Sequence, residues 1–291
     1  MWLSELFDGL GRIITDGEIA GLGFLPHHPP DVAVPLYDSR FISKLDRKVA
    51  AVLTTADLVD RMPPHLGKVV VDNPLEALWK AHARLNEQGF YWTDFDSRIH
   101  PEALISPQAY VAPRNVEIGP GTVVEPNATI LERVRMGARC VIRAGAVLGT
   151  EGFEVRMIDG KMTVVPHTGS VVLGDDVQIM SNTCVCKSLM GGATRVGDGT
   201  VIDTLVHVAH NVQIGRQARI VSQAMLGGSC DIGDGCWIGP GACISNSLTI
   251  GAGARVTIGS VVTRDVPAGE HVSGNFAISH EKYLAFLKTI R

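Results

Sequence analysis

The chain has 291 residues and a formal net charge of −4, so it has no basic excess with which to neutralise nucleic-acid phosphates. Hydrophobic residues make up 45% and charged residues 19% of the sequence, which excludes a disordered chain. No apolar run reaches the length of a transmembrane helix, and no positively charged secretory leader is visible. We therefore expect a cytoplasmic protein with reduced cysteines.

The first 98 residues lack any repeat and predict a small α/β domain. Residues 49–54 and 68–71 are rich in β-branched side chains and predict two strands. A helix is predicted between Asn73 and Gly89, because Asn73 can cap its first turn, Pro74 fits the first helical position and Gly89 can end it. Its buried face is predicted to comprise Leu75, Leu78, Trp79, His82 and Leu85.

Residues 26–35 are rich in proline. Proline lacks the amide proton that a strand ladder needs, so this segment predicts a loop rather than a strand. His27 and His28 lie within it and are expected to be solvated rather than to bind a ligand.

From residue 99 onward an aliphatic side chain recurs at every sixth position. This spacing is neither the period of a helix nor that of a simple strand, so each repeat needs a short strand and a turn. Three such hexads close a triangular coil, and stacked coils bury the aliphatic residues in columns. The sequence therefore predicts a mainly β fold, a parallel β-helix. Its longest run of inward positions is Val196, Ile202, Val208, Ile214, Ile220, Leu226, Ile232, Ile238, Ile244, Ile250, Val256 and Val262.

The same hexad step runs through earlier blocks, and its phase slips near residues 117, 150–172 and 190. We predict an N-terminal domain over residues 1–98, the β-helix over 99–275 and a short C-terminal helix over 276–291. Ser279 can cap that helix, and its apolar stripe is expected to cover the last coil. The stripe consists of Tyr283, Leu284 and Leu287.

The segment from Asp203 to Asn211 carries the candidate catalytic residues. Val208 occupies an inward position, so His207 and His210 are predicted to project outward or near a corner. A neutral imidazole can take a proton from an attacking amine, and an acidic neighbour such as Asp203 can fix its tautomer. His210 is therefore the predicted general base, and two ordinary surface histidines are the alternative interpretation.

The six cysteines lack the spacing of a zinc site, since Cys184 and Cys186 form C-x-C rather than C-x2-C. His207 and His210 could help to bind zinc, but no matching third histidine is evident. No activating base for a thiol nucleophile is evident beside the two cysteines either. We therefore predict no metal site and interpret both cysteines as small, half-buried packing residues.

The hexads resemble the bacterial hexapeptide-repeat transferase superfamily over residues 99 to about 267. More closely, residues 36–284 are similar to the UDP-3-O-(3-hydroxyacyl)glucosamine N-acyltransferases of lipid A biosynthesis. The motif that runs from Asp203 to His210 is the most specific part of this resemblance. The segments that carry it are 51–54, 70–74, 152–153, 165–169, 171–177, 202–203, 209–212 and 273–275.

The resemblance implies a left-handed β-helix and a homotrimer in the bacterial cytoplasm, with active sites between neighbouring subunits. It implies that His210 deprotonates the 2-amine of a nucleotide-linked glucosamine. The implied donor is acyl carrier protein, whose phosphopantetheine arm lies along the coils, and no bound cofactor is implied. The residues expected to contact the nucleotide sugar are Phe41, Ser39, His207, Asn211, Phe153 and His167.

The donor side of the expected site departs from the family pattern. Ser247 stands where members often have a second histidine, and it could donate a hydrogen bond to the oxyanion. A backbone amide near Gly227 and Gly228 in the donor groove is the other candidate. Ser222 and Gln223 replace a glycine pair, and their larger side chains could narrow that groove.

Two other functions stay open at this point. The chain could be an acetyl-CoA-dependent N-acetyltransferase that acts on another nucleotide amino sugar for a surface polysaccharide, which the narrowed groove favours. It could also be a non-catalytic β-helix scaffold. The presence of both Asp203 and His210 argues against the scaffold.

Overall fold

The computed structural model describes residues 1–25, 29–274 and 277–289. Two compact units are formed, of which the first comprises Met1–Asp94, Glu151–Gly169 and Ser188–Gly192. The second unit comprises Phe95–Thr150, Ser170–Lys187 and Ala193–Arg291. Two segments that the sequence assigned to the β-helix domain thus belong to the first unit. Within the described ranges, no helix is both long and apolar enough to cross a bilayer.

The first unit contains a five-stranded sheet in the order β1-β5-β4-β3-β2. Only the β1–β5 pair is antiparallel. The predicted strands are confirmed as β4 and β5, the second displaced by one residue. The elements are α1 Leu3–Leu6, β1 Arg12–Thr15, β2 Gly21–Leu22, β3 Val32–Leu36, β4 Val49–Thr54, β5 Gly67–Val70 and α2 Pro74–Glu87, with 3-10 turns at Ser39–Lys44 and Val59–Arg61.

Helix α2 begins as its sequence predicts. The Asn73 side chain accepts a hydrogen bond from the Glu76 amide at 3.2 Å, and Pro74 is the first helical residue. The expected apolar face is buried apart from Leu75, which is half-buried. The helix thereby supplies one wall of the core of the first unit.

The prediction of a loop over residues 26–35 is wrong for its second half. Strand β3 runs through Pro35, and all five of its residues are buried. Pro35 is tolerated because the neighbouring strand β2 pairs only with Val32 and Ala33. Among the described residues, no strand pairs with the far half of β3 on this side, so the missing amide proton of the proline breaks no ladder bond. His27 and His28 lie outside the described residues.

The second unit is a parallel β-helix with three flat faces, which confirms the predicted fold class. The first face consists of Arg98–Ile99, Val116–Ile118, Val134–Met136, Ser170–Leu173, Ala193–Val196, Gln213–Ile214, Asp231–Ile232 and Thr249–Ile250. The second consists of Leu104–Ile105, Val123–Val124, Val141–Ile142, Gln178–Ile179, Val201–Ile202, Arg219–Ile220, Trp237–Ile238, Arg255–Val256 and His271–Val272. The third consists of Tyr110–Val111, Thr129–Ile130, Val147–Thr150, Cys184–Cys186, His207–Val208, Met225–Leu226, Cys243–Ile244 and Val261–Val262.

The hexad positions form the core of the β-helix, as predicted. Every inward residue from Val196 to Val262 is buried, and together they form one continuous hydrophobic cluster. The first coil is covered less completely, because no further coil stacks below it: Ile99 is 43% exposed, and Ile105 and Val111 are half-buried. The slip near residue 117 arises in the corner between Val111 and Val116, which is one residue longer than the corner between Ile130 and Val134 in the next coil. The other two slips arise from the insertions that belong to the first unit.

The larger insertion forms a hairpin, Val155–Ile158 paired with Lys161–Val164. At the C-terminal end, helix α3 spans His280–Thr289. Its expected role as a cover is not fulfilled within this chain, because Tyr283 and Leu284 remain 47% and 44% exposed. Arg291, the last residue of the predicted helix, lies outside the described residues.

Candidate active site

His210 lies at a corner of the β-helix, where the third face ends and the first face of the next coil begins. The corner turns at Asn211, whose φ of 63° lies in the left-handed region that asparagine tolerates. Ser229 and Ser247 adopt the same conformation at this corner in the next two coils. The hexad pattern thus delivers His210 to the surface immediately after the buried Val208.

The ring of His210 is held in one tautomer. Its Nδ1 lies 2.9 Å from the side-chain oxygen of Asn211. An amide oxygen only accepts hydrogen bonds, so Nδ1 carries the proton and donates it. Nε2 is therefore left with a lone pair, and the half-buried imidazole is poised to act as a base at that atom.

The Nε2 edge of His210 lies against the backbone of Gly228 in the next coil. A Cβ at residue 228 would lie 2.7 Å from both Nε2 and Cε1 of His210. The contact is fixed by the ladder, since the Ser229 amide donates to the His210 carbonyl at 2.9 Å. A glycine is required at residue 228 if the ring is to keep this position.

The amide of Gly228 is one of several corner amides for which no acceptor is found among the described residues; those of Asp234, Asn246 and Ala252 are others at the equivalent position. In five other corners a carboxylate from an adjacent coil accepts this hydrogen bond, at 2.7 to 3.1 Å; the donors are Ala138, Ala144, Asp175, Arg216 and Ser222. Around Gly228 the corresponding positions hold Ala209 and Asn246, neither of which is acidic. No acceptor among the described residues takes the Gly228 N–H. This amide is therefore free to donate to a ligand beside His210.

Asp203 lies at a different corner, between the second and third faces. Its carboxylate oxygens accept hydrogen bonds from the Thr204 amide at 2.7 Å and the Ser222 amide at 3.1 Å. Asp203 thus links its own coil to the next coil by hydrogen bonds. Orientation of the His210 ring, which the sequence assigned to Asp203, is supplied here by Asn211.

The four predicted donor-groove residues divide between the two corners that border the third face. Gly227 and Gly228 are buried above His210, whereas Ser222 and Gln223 lie above Asp203. A groove of about 570 Å³ lies instead on the first face, lined in part by Arg195, Gln213, Asp231 and Thr249. None of the four residues lines that groove.

Ser247 shares the corner of His210 but lies two coils further along. With about 4.8 Å between stacked strands, this places it roughly 10 Å from the level of Asn211. Its amide donates to the Gly228 carbonyl at 2.9 Å, and its side chain is exposed. Ser247 therefore adjoins Gly228 more closely than it adjoins His210.

Two of the expected nucleotide contacts lie in the first unit, in the 3-10 turn Ser39–Lys44. Asp38 caps this turn by accepting from the Arg40 amide at 2.9 Å. Phe41 is half-buried, with the Lys44 ammonium 5.2 Å from its ring centroid. Ser39, at the start of the turn, is also half-buried.

The other two expected contacts in the first unit, Phe153 and His167, have opposite environments. Phe153 is 89% exposed, whereas the His167 side chain is fully buried, with Nδ1 3.2 Å from a Glu151 carboxylate oxygen. The backbone amide of His167 donates to the same carboxylate at 2.7 Å. The Phe153 ring is therefore accessible to a ligand from solvent, whereas the imidazole of His167 is not.

His82 anchors the segment next to His167, a role that the sequence did not reveal. Its Nε2 donates to the Pro166 carbonyl at 2.9 Å, and its Nδ1 accepts from the Tyr91 hydroxyl at 2.7 Å. Burial lowers the pKa of His82 below its ordinary value and raises that of Tyr91. Both side chains are therefore held neutral.

His207 meets the two cysteines that the sequence treated as packing residues. Ligand atoms of Cys184, Cys186 and His207 all lie within 4.8 Å of one another. Hydrogen bonds from Cys186 and then from His207 lower the pKa of the Cys184 thiol to about 5. The C-x-C spacing gave no hint of this cluster, because its third member comes from the next coil.

Comparison with known proteins finds the hexapeptide repeat of bacterial transferases in the sequence of this β-helix. The family model described as bacterial transferase hexapeptide (six repeats) matches residues 115–150 and 193–228. A UDP-N-acetylglucosamine acyltransferase from Campylobacter jejuni has a similar fold, with a TM-score of 0.50 and 19% identity over 66% of this chain and 83% of that one.

Curated relatives define the family more narrowly. The chain is 35% identical over 250 residues to the UDP-3-O-acylglucosamine N-acyltransferase of Pseudomonas syringae pv. tomato, covering 73% of this chain and 68% of the relative. It is 35% identical over 188 residues to UDP-3-O-acylglucosamine N-acyltransferase 1 of Gloeobacter violaceus, covering 55% of this chain and only 53% of the relative. The chain belongs to the UDP-3-O-acylglucosamine N-acyltransferase family, which confirms the resemblance seen in its sequence.

Proposed function

We propose that the protein transfers a 3-hydroxyacyl group from acyl carrier protein to the 2-amine of UDP-3-O-acylglucosamine, a step of lipid A biosynthesis. Family membership supports this substrate class. The observation that carries the chemistry is the tautomer of His210: with Nδ1 donating to Asn211, Nε2 is an unprotonated base beside an unoccupied backbone amide. The proposed enzyme acts as a homotrimer in the bacterial cytoplasm.

The reaction needs one proton acceptor and one oxyanion donor. The neutral sugar amine attacks the thioester carbonyl, a C–N bond forms, and Nε2 of His210 takes a proton from the nitrogen. The tetrahedral intermediate then collapses, the C–S bond breaks, and the His210 imidazolium returns the proton to the phosphopantetheine thiolate. The products are an amide and a free thiol, so His210 ends as it began.

The Gly228 amide is the proposed oxyanion donor, because it is a fixed N–H with no described acceptor beside the Nε2 edge of His210. Ser247 is the candidate for a second donor from the following coil. Because a thioester is already activated, positioning and these two functions supply most of the required rate.

The other residues that the sequence singled out are proposed to contact the sugar substrate or the acyl donor. Phe41 and Ser39 are proposed to contact the nucleotide. The sugar and its acyl chain are proposed to contact Phe153, His167, His207 and Asn211. Because the His167 side chain is buried, it would act through Glu151 or after a local rearrangement. Gly227, Gly228, Ser222 and Gln223 are proposed to border the phosphopantetheine arm. A neighbouring subunit of a trimer would supply a second wall for the groove on the first face.

The test offers the purified protein two substrate sets and measures product mass. One set is UDP-3-O-acylglucosamine with 3-hydroxyacyl carrier protein, and the other is a panel of nucleotide amino sugars with acetyl-CoA. Transfer of the long chain is expected. Acetyl transfer alone would replace the proposal with an N-acetyltransferase, and a folded protein silent in both assays would leave the scaffold.

His210→Ala tests the base directly. Activity is expected to fall by about 10²- to 10⁴-fold, because general-base catalysis supplies this much. The matched control is His271→Ala, which removes an exposed histidine from the end of the second face and should leave activity unchanged. A folded His210→Ala variant with full activity would remove His210 from the mechanism.

A further inference from the structure

The third face of the β-helix brings two thiols and an imidazole together on its outer surface. Strand Cys184–Cys186 alternates its side chains, so Val185 points into the core and both cysteines point outward. His207 is the direct partner of Cys184 in the parallel ladder to the next coil. Its ring therefore lies on the same outer surface as the two thiols.

The separation of these three side chains suits a metal ion. A tetrahedral zinc ion with Zn–S bonds of about 2.3 Å and Zn–N bonds of about 2.0 Å has ligand-to-ligand edges of roughly 3.5 to 3.8 Å. The two sulfurs and a ring nitrogen already lie within 4.8 Å of one another. Side-chain rotations that close the gaps by about 1 Å would complete the geometry.

The backbone beneath these side chains is already fixed. Cys184 is paired with Val147 on one side and with His207 on the other, and Cys186 is paired with Thr150. No backbone rearrangement is needed for binding, so little ordering entropy opposes it. Cys186 is buried, Cys184 is half-buried and His207 is exposed, which leaves an entry path from the side of the imidazole.

We infer that Cys184, Cys186 and His207 form a binding site for a d10 cation of the zinc type, with one coordination position open to solvent. Two thiolates and an imidazole are the donors that such ions prefer. Binding displaces any thiol proton to solvent and involves no electron transfer. The proposed transfer at His210 does not use this ion. His207 is shared with the proposed substrate contacts, but the test measures zinc affinity rather than activity, so the two proposals can fail separately.

Zinc affinity of the full-length protein, reduced and stripped of metal, tests the site. Competition against a chromophoric chelator should give one zinc ion per chain. Cys184→Ser, Cys186→Ser and His207→Gln should each weaken binding by roughly 10-fold or more. The matched control is Cys243→Ser, because Cys243 faces outward on the same sheet two coils beyond His207. Unchanged affinity in the three variants, or an equal loss in the control, would overturn the inference.

A second measurement needs no variant. Zinc should protect the half-buried Cys184 of the unmodified protein from alkylation, while Cys243 continues to react; peptide mass spectrometry measures each site separately. Cobalt(II) in place of zinc should also produce a thiolate-to-metal charge-transfer absorption. Equal alkylation of Cys184 with and without zinc would exclude the site, whatever the folding of the variants.

Discussion

The Gly228→Ala variant is expected to displace the ring of His210, the proposed general base, and to leave the stability of the β-helix nearly unchanged. The new Cβ would lie 2.7 Å from Nε2 and Cε1 of His210, whereas ordinary contact begins at 3.4 Å. The ring must therefore retreat by about 0.7 Å. A displacement of about 1 Å in a catalytic group can cost on the order of 100-fold in rate, so we expect kcat/KM to fall roughly 10- to 100-fold.

The neighbouring glycine provides the matched comparison. A Cβ at Gly227 would meet backbone, the Asn246 amide nitrogen at 2.6 Å and the Ile244 carbonyl oxygen at 2.8 Å. Backbone cannot move aside as a ring can, so Gly227→Ala should lower the thermal midpoint clearly and Gly228→Ala should barely change it. Steady-state kinetics and thermal unfolding of both variants check this. A Gly228→Ala variant with full activity would refute the assigned ring position.

Two further predictions concern the hydrogen bond of Asn211 and the burial of His82. Asn211→Ala removes the acceptor of the His210 Nδ1 proton and should lower kcat by roughly 10-fold or more. Asn211→Asp retains an acceptor and should keep most of the activity. The kinetics of the two variants distinguish lost tautomer control from a general disturbance of the corner. Because burial lowers the pKa of His82 below 6.5, the unfolded state takes up its proton first as the pH falls through 6.5, and stability should decline there. Thermal unfolding followed through tryptophan fluorescence measures this, and His82→Gln should flatten the dependence. An unchanged slope in that variant would assign the decline to another group.

The core residues of the β-helix could be predicted from the sequence, because the direction of each side chain depends only on its position within one hexad. Each hexad makes one short strand and one turn, so a residue such as Leu226 is directed inward by its place in the repeat alone. The same logic placed His210 at the surface, two positions after an inward Val208. In β3, by contrast, Pro35 led to the prediction of a loop. The strand pairing that tolerates a proline at this position is known only from the sheet order.

Contacts between coils were harder to anticipate. His210 and Gly228 are 18 residues apart, the spacing of a coil without insertions, and they stack directly. Cys184 and His207 are 23 residues apart, because the Ser188–Gly192 insertion lies between them. Without the ladder register, the sequence could not show that these two side chains are neighbours, and it likewise paired His210 with Asp203 when Asn211 was the adjacent partner.

The divided sequence of the first unit has a consequence for synthesis on the ribosome. Trp79 completes its hydrophobic cluster only with Val165, from the large insertion, and Leu189, from the small one. A nascent chain that has released its first 94 residues therefore still lacks two pieces of this core. Domains usually mature in the order in which they emerge, but here this one cluster of the amino-terminal unit can form only after about residue 192 has left the exit tunnel, when the early coils have already been made.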